Sequence, residues 1–215
     1  ALHNWPELPL GTFGVNSGPM MAAVDEFDIT VKGKGGHAAS PHLAIDPVVI
    51  SAQVISAVQT IISRSTDPVD KALISITKIN AGTAYNVIDD QVKMGGTIRT
   101  FRRETRAYIE KRLNELCKGI ADAHGAEIKI EFDLVNKYPP TINSKEETKF
   151  AANVAKDLVG DDKVITDIDP SMGGEDFSYL LEKKPGSYLY LGQGDGEHSA
   201  HLHTTKYDFN DNLLP

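Results

Sequence analysis

Between residues 25 and 135 two hydrophobic periods follow one another in a fixed order, and that order restricts the fold more than any other feature. Phe27, Ile29 and Val31 alternate with Glu26, Asp28, Thr30 and Lys32, the period of two of a strand with one buried face. Gly33-Lys34-Gly35-Gly36 closes it as a turn. Asp46 before Pro47 predicts an N-cap and a first helical residue, for a helix to about Arg64. That segment is apolar almost all round, which predicts burial against a sheet. Leu73 to Ile79 is rich in β-branched residues, and Val92, Met94, Gly96 and Ile98 alternate as another strand. Tyr108, Ile109, Leu113, Leu116, Cys117 and Ile120 recur at helical spacing within Glu104 to His124, with Gly125 as the stop. Ile128, Ile130, Phe132 and Leu134 alternate again. The order β-α-β-β-α-β predicts the ferredoxin-like arrangement, a four-stranded antiparallel sheet with two helices on one face. The other face, or an edge strand, is free to pair with a second copy.

The flanks are different. Residues 1–23 contain Pro6, Pro9, Gly11, Gly14, Gly18 and Pro19 and read as loop with at most a short strand. After Tyr138-Pro139-Pro140, Ser144 and Glu147 form a capping-box pattern ahead of Phe150, Ala151, Val154, Ala155 and Leu158, and Gly160 ends that helix. Val164-Ile165, Asp176 to Glu182 and Ser187 to Leu191 read as a short strand, a short helix and an apolar strand. Such scattered elements read as half of a domain. The expected division is 1–24, 25–140 and 141–215.

Composition excludes several classes. The 215 residues carry 22 Lys and Arg against 30 Asp and Glu, a net charge of −8. An acidic chain with no basic tract does not suit nucleic acid or an anionic membrane surface. Val48 to Ile62 is interrupted by Ser51, Gln53, Ser56, Gln59 and Thr60, which reads as too short and too polar for a membrane span. No charged segment followed by an apolar one opens the chain, so no secretion signal is read. The single Cys117 excludes an internal disulfide and a Cys-only zinc site and fits a reducing compartment, the cytoplasm.

Of seven histidines, His198, His201 and His203 fall within six positions. Neutral imidazole is a common metal ligand, although a solvated polar loop gives the same pattern. His201 and His203 face the same way on an extended segment. His124 suits a last helical turn. In Met172-Gly173-Gly174-Glu175-Asp176-Phe177 the carboxylates either complement a helix dipole or orient a ligand, while the glycines let backbone approach closely. His37, after Gly35-Gly36, reads as a loop histidine. Arg99 sits in an otherwise apolar strand with no acid at an obvious cross-strand position, so either a bound carboxylate satisfies it or it faces solvent.

Taken together, several segments resemble the amidohydrolase branch of the M20 metallopeptidase family: Leu2-His3-Asn4-Trp5-Pro6-Glu7-Leu8-Pro9, Gly35 to His42, Asp46-Pro47-Val48, Gly82 to Ile88, Gly96 to Phe101, Met172 to Phe177, and His203 with Tyr207 to Asp211. They occur in family order from residue 1 to 215. The resemblance implies an α/β metallohydrolase catalytic domain interrupted by a ferredoxin-like dimerisation lid, two divalent metal ions (Zn or Mn), a homodimer, and hydrolysis of the amide of an N-acyl amino acid or related small amide. It implies metal ligation by His3 and His203, and polarisation of the scissile carbonyl by His37 across the dimer. It further implies substrate contacts by Asn86, Arg99, Gly173 and Gly174, and it leaves the roles of Glu175, Asp176, His198 and His201 open. The family's first half, with its Cys/His/Asp-rich metal motif and the Glu-Glu pair that supplies the general base, has no counterpart here. The chain therefore reads as a C-terminal portion. The alternative is a non-catalytic module that dimerises and grips substrate.

Overall fold

The computed structural model describes residues 1–135 and 137–214. In chain order the elements are β1 (Leu2–Pro9), β2 (Phe13–Gly14), β3 (Gly18–Met21), β4 (Ala23–Lys32), β5 (Gly36–His37), α1 (Pro47–Thr60), β6 (Ala72–Asn80), β7 (Val87–Ile88) and β8 (Gln91–Thr100). Then follow α2 (Arg103–His124), β9 (Glu127–Phe132), β10 (Thr141–Asn143), α3 (Lys145–Val159), β11 (Val164–Ile165), α4 (Ser178–Leu181) and β12 (Leu189–Gly194). The chain divides into two compact units, residues 23–138 and residues 1–22 with 139–215.

In the unit 23–138 the sheet order is β6-β8-β4-β9, every neighbour antiparallel. Alternation along β4 sends Phe27, Ile29 and Val31 to a buried face, where they meet Ile50, Val54, Val58 and Ile61 of the first helix and Ile109, Leu113 and Cys117 of the second. Asp46 caps α1 as expected, its side chain accepting from the amides of Val48 and Val49. The helix continues without a break as a π-turn over Ile61–Ser65. The combined Pro47–Ser65 segment is long and apolar enough to cross a membrane by length and composition, contrary to the sequence reading. Its hydroxyls do not interrupt it, because Ser51, Ser56 and Thr60 donate back to the carbonyls of Pro47, Ala52 and Ala57. Only one side of it is buried, and Val48 and Val49 are exposed. The second helix ends where Gly125 takes a left-handed φ of 65°. Burial raises the Cys117 thiol to about 11, so it stays protonated and unreactive at neutral pH.

In the other unit a sheet of order β1-β12-β2-β11 carries α3. Here the sequence reading needs correction. Residues 2–9 form a full strand, parallel to β12. The strand lies at the sheet edge, where the missing N–H of Pro6 and Pro9 is tolerated, and its register shifts between Trp5 and Pro9. The Ser144–Glu147 capping box does not form: Ser144 makes no side-chain cap bond, and its Oγ instead accepts from the Gly186 amide at 3.2 Å. The apolar pattern of α3 also splits. Ala152 and Ala155 pack with Phe13, Val15, Val164 and Leu189, while Phe150, Val154 and Leu158 are exposed.

Candidate active-site residues

His3 lies on β1 with its ring tied back on its own strand: Nδ1 is 2.7 Å from the carbonyl oxygen of Asn4. A carbonyl only accepts, so Nδ1 carries the proton and Nε2 keeps a lone pair. This is the tautomer of a metal-ligating imidazole whose other nitrogen is held by an oxygen. His37, on the short β5–β7 ladder opposite Val87, has the reverse arrangement. The amide of Ala39 donates to its Nδ1 at 3.0 Å, which places the proton on Nε2, on an exposed ring able to donate. The two histidines occupy opposite tautomers, and each is fixed by a backbone group.

The same ladder brings Asn86 beside His37, and the Asn86 carbonyl accepts from the Ala38 amide at 3.0 Å. Arg99 stands on the sheet face opposite the helices, in a cleft of about 350 Å³ shared with Glu26, Asp28, Thr77, Lys78, Thr97 and Asp133. It donates to Thr97 Oγ1 and to the Ile98 carbonyl. The positions directly opposite Arg99 across the strands hold Val24 and Leu73, in line with the sequence reading, but an acid stands on the diagonal. Glu26 pairs with Thr97, one step along the same face, and its charge acts on Arg99. Partial burial still holds the guanidinium below its ordinary value. That marks it as a cation with solvation to regain from an anion.

In the other unit Gly173 is exposed and its carbonyl accepts from the Ala22 amide at 2.9 Å; Gly174 is half-buried. A Cβ on Gly173 would lie 2.9 Å from Met21 Cε. Glu175 precedes α4 and does not cap it with its dipole. It accepts the Tyr188 hydroxyl at 2.7 Å and the Phe177 amide at 3.2 Å. Burial first, and this bond second, push the Tyr188 phenol well above its ordinary value, so Tyr188 is a fixed donor to Glu175. Its ring lies 6.2 Å from that of His3.

His203 is exposed in the loop after β12, in a left-handed conformation with φ 59° that non-glycine residues seldom adopt. His201 Nδ1 lies 2.7 Å from Glu7 Oε1 of β1. His198 Nδ1 is 3.0 Å from both carboxylate oxygens of Asp195. Sequence spacing does not reveal either pairing: Glu7 lies 194 positions away on β1, and Asp195 is aimed at His198 by the turn that follows β12. Among the described residues no three His, Cys, Asp or Glu side chains gather into a metal-binding group. The donor chemistry of His3 fits a divalent ion, but as one ligand and not as a complete set.

The Asp195–His198 pair has a definite pH signature. The side-chain bond to Asp195 raises the His198 pKa above 6.5, and the His198 amide lowers that of Asp195 below 3.8. The histidine's contribution to this turn is full below pH 6.5 and is lost as pH rises through its raised value. The aspartate's contribution is present above 3.8 and is lost as pH falls through its lowered value. The protection of the Glu197 and His198 amides, their exchange measured against the intrinsic rate at each pH, is expected to be greatest between these limits. A flat profile from pH 4 to 9 would contradict the pairing.

A mixed α/β chain of two sheet-bearing units, with His3 and His37 on strands and His203 in the loop after β12, is the architectural class defined by these features. The chain belongs to peptidase family M20/M25/M40, whose model matches residues 1–215. It is 40% identical over 200 residues to an N-acetylcysteine deacetylase of Bacillus subtilis, covering 93% of this chain and 51% of the relative. It is 38% identical to the hippurate hydrolase of Campylobacter jejuni, covering 98% of this chain and 54% of that enzyme. Among solved structures, the Bacillus subtilis protein YXEP, described as a dinuclear metal binding peptidase from the M20 family, superposes with a TM-score of 0.79 at 33% identity, over 99% of this chain and 52% of that one. The chain thus spans about half the length of the relatives it matches.

Proposed function

We propose that the chain is the portion of a metal-dependent amidohydrolase that carries the lid and part of the metal site, acting on the amide bond of N-acyl amino acids or related small amides. What supports this is the opposed tautomers of His3 and His37, one with a free lone pair and the other with a free proton, in a family whose relatives include a hippurate hydrolase and N-acetylcysteine deacetylases. In this reading His3 and His203 each hold one ion of a pair, with Zn and Mn both suited to such ligands. When bound, the ions supply Lewis-acid activation of water and of the scissile carbonyl. His37 Nε2 donates to the carbonyl oxygen as charge develops there. Arg99 receives the substrate carboxylate with Asn86 beside His37, and the backbone of Gly173 and Gly174 lines the pocket. The unit 23–138 acts as a ferredoxin-like lid that associates with a second copy through its free sheet face or an edge strand, β6 or β9, so that His37 serves the partner's site. The remaining ligands and the general base belong to the half of the relatives' length that this chain does not match.

A second reading has one observation in its favour: no three-ligand group occurs among the described residues. On that reading these 215 residues alone grip substrate and dimerise without turnover. Arg99→Ala in the full-length enzyme tests the function. It is expected to lower kcat/KM for an N-acyl amino acid roughly 30-fold, about 2 kcal/mol for a charge-assisted bond. The same variant should leave the corresponding N-acyl amine, which has no carboxylate, unchanged. Equal losses on both substrates would overturn the assignment.

A further inference from the structure

Gln193, on β12, is fully buried. Its side-chain amide has two donor hydrogens and one acceptor oxygen, and all are used. Nε2 donates to the carbonyls of His198 at 3.2 Å and Asp208 at 3.1 Å. Oε1 accepts from Asn4 Nδ2 at 2.9 Å and from the Tyr207 hydroxyl at 3.3 Å. Tyr207 in turn accepts from Asn4 at 2.6 Å. The opposite amide orientation would set an oxygen against two carbonyls, so only one is allowed. The donated bonds fall at the two ends of the segment 198–208, which carries His201 and His203. The accepted bond falls on Asn4, whose backbone carbonyl fixes His3. A second tie closes the network: Asn210 Nδ2, also buried, donates to the Gln193 carbonyl at 3.0 Å and to Asp195 at 2.9 Å.

We infer that Gln193 is a positioning residue: through one buried amide it clips both ends of the His203 loop and holds that loop against the residue that orients His3. The inference deepens the proposed reading of His3 and His203 as ligands and rests on it. A buried polar network of this kind is worth keeping only if every member is satisfied, and here the satisfied members connect the two histidines. Unlike a packing residue, Gln193 could be replaced in volume by glutamate and still fail, because a carboxylate presents oxygen to the carbonyls of His198 and Asp208.

The test uses the 215-residue chain with nitroxide labels at Leu2→Cys and Thr205→Cys, both exposed positions; the buried Cys117 thiol does not label. Gln193→Glu is expected to broaden the distance distribution between the labels at least twofold. Without labels, it should weaken Zn²⁺ binding about tenfold, the usual scale for groups that orient ligands. Tyr207→Phe, which removes one hydroxyl and keeps the ring, serves if Gln193→Glu does not fold, and should broaden the distribution less. An unchanged distribution in a folded variant overturns the inference, as does a broadened one with unchanged zinc affinity. Zinc binding that survives His3→Ala and His203→Ala would instead overturn the ligand assignment, and the label distances would then decide the clamp alone.

Discussion

Asp25→Ala is expected to lower the stability of the unit 23–138 by about 3–5 kcal/mol, the usual loss when one member of a buried ion pair is removed. Asp25 faces the helix side of β4 with 5% of its side chain accessible. Arg106 of α2 grips it with two bonds of 2.6 Å, from Nε and from a terminal nitrogen. Lys137 adds a third charge at 3.6 Å. Taking the carboxylate away leaves the Arg106 guanidinium, itself only 15% accessible, without its bidentate partner. The loss is therefore set mainly by the stranded cation and much less by the attraction forgone. The double variant Asp25→Leu/Arg106→Met should recover most of the stability, because well-packed apolar replacements of buried pairs are often neutral. Urea unfolding with amide exchange read at Ile29 and Val31 measures both. A loss below about 1 kcal/mol in the single variant, or no recovery in the double, would show that the pair is solvated and weak.

This pair shows where the sequence speaks and where it stops. Once Phe27, Ile29 and Val31 face inward, the two-residue period puts Asp25 inward as well, so a buried carboxylate was legible. Its partner, 81 positions away on a helix, was not. The order of strands and helices in 23–138 was legible because each element has a long, single period. The edge strand β1 was not, because Pro6 and Pro9 are loop signals everywhere except at a sheet edge, and edge position is a tertiary fact. The same limit governs the candidate site. The resemblance to the M20 family, and not residue types and spacing alone, pointed to His3, His37, His203 and Arg99, and the tautomers of His3 and His37 depend on the carbonyl of Asn4 and the amide of Ala39. Gln193 gave no signal at all. A lone glutamine in an apolar strand gains meaning only when its four partners are placed around it.

Gly192→Ala is expected to destabilise the other unit by about 3 kcal/mol, at the upper end of overpacking losses. β12 contains Gly192 and Gly194, residues that ordinarily weaken a strand, and β1 explains both. Where the register shifts between Trp5 and Pro9, the backbone of β1 crosses close over them. A Cβ on Gly192 would sit 2.1 Å from the Pro9 carbonyl oxygen and 2.9 Å from Leu8. On Gly194 it would lie 2.4 Å from the Pro6 carbonyl oxygen. These are backbone atoms, which cannot rotate away as a side chain can, so β1 itself must move. Trp5 would move with it, breaking its stack on Tyr190, now 3.8 Å between ring centroids and 15° from parallel. Trp5 is the single tryptophan of the chain, so its fluorescence reports this displacement directly and should shift to longer wavelength in the folded variant. Amide exchange in 23–138 should stay unchanged. Gly119→Ala supplies the contrast: beyond its own helical turn, no atom among the described residues lies within 4 Å of its added methyl, and inside α2 it should stabilise by about 0.5–1 kcal/mol. Should Gly192→Ala keep both its stability and its emission maximum, β1 would not lie over β12 as described, and the placement of His3 beside the His203 loop would fall with it.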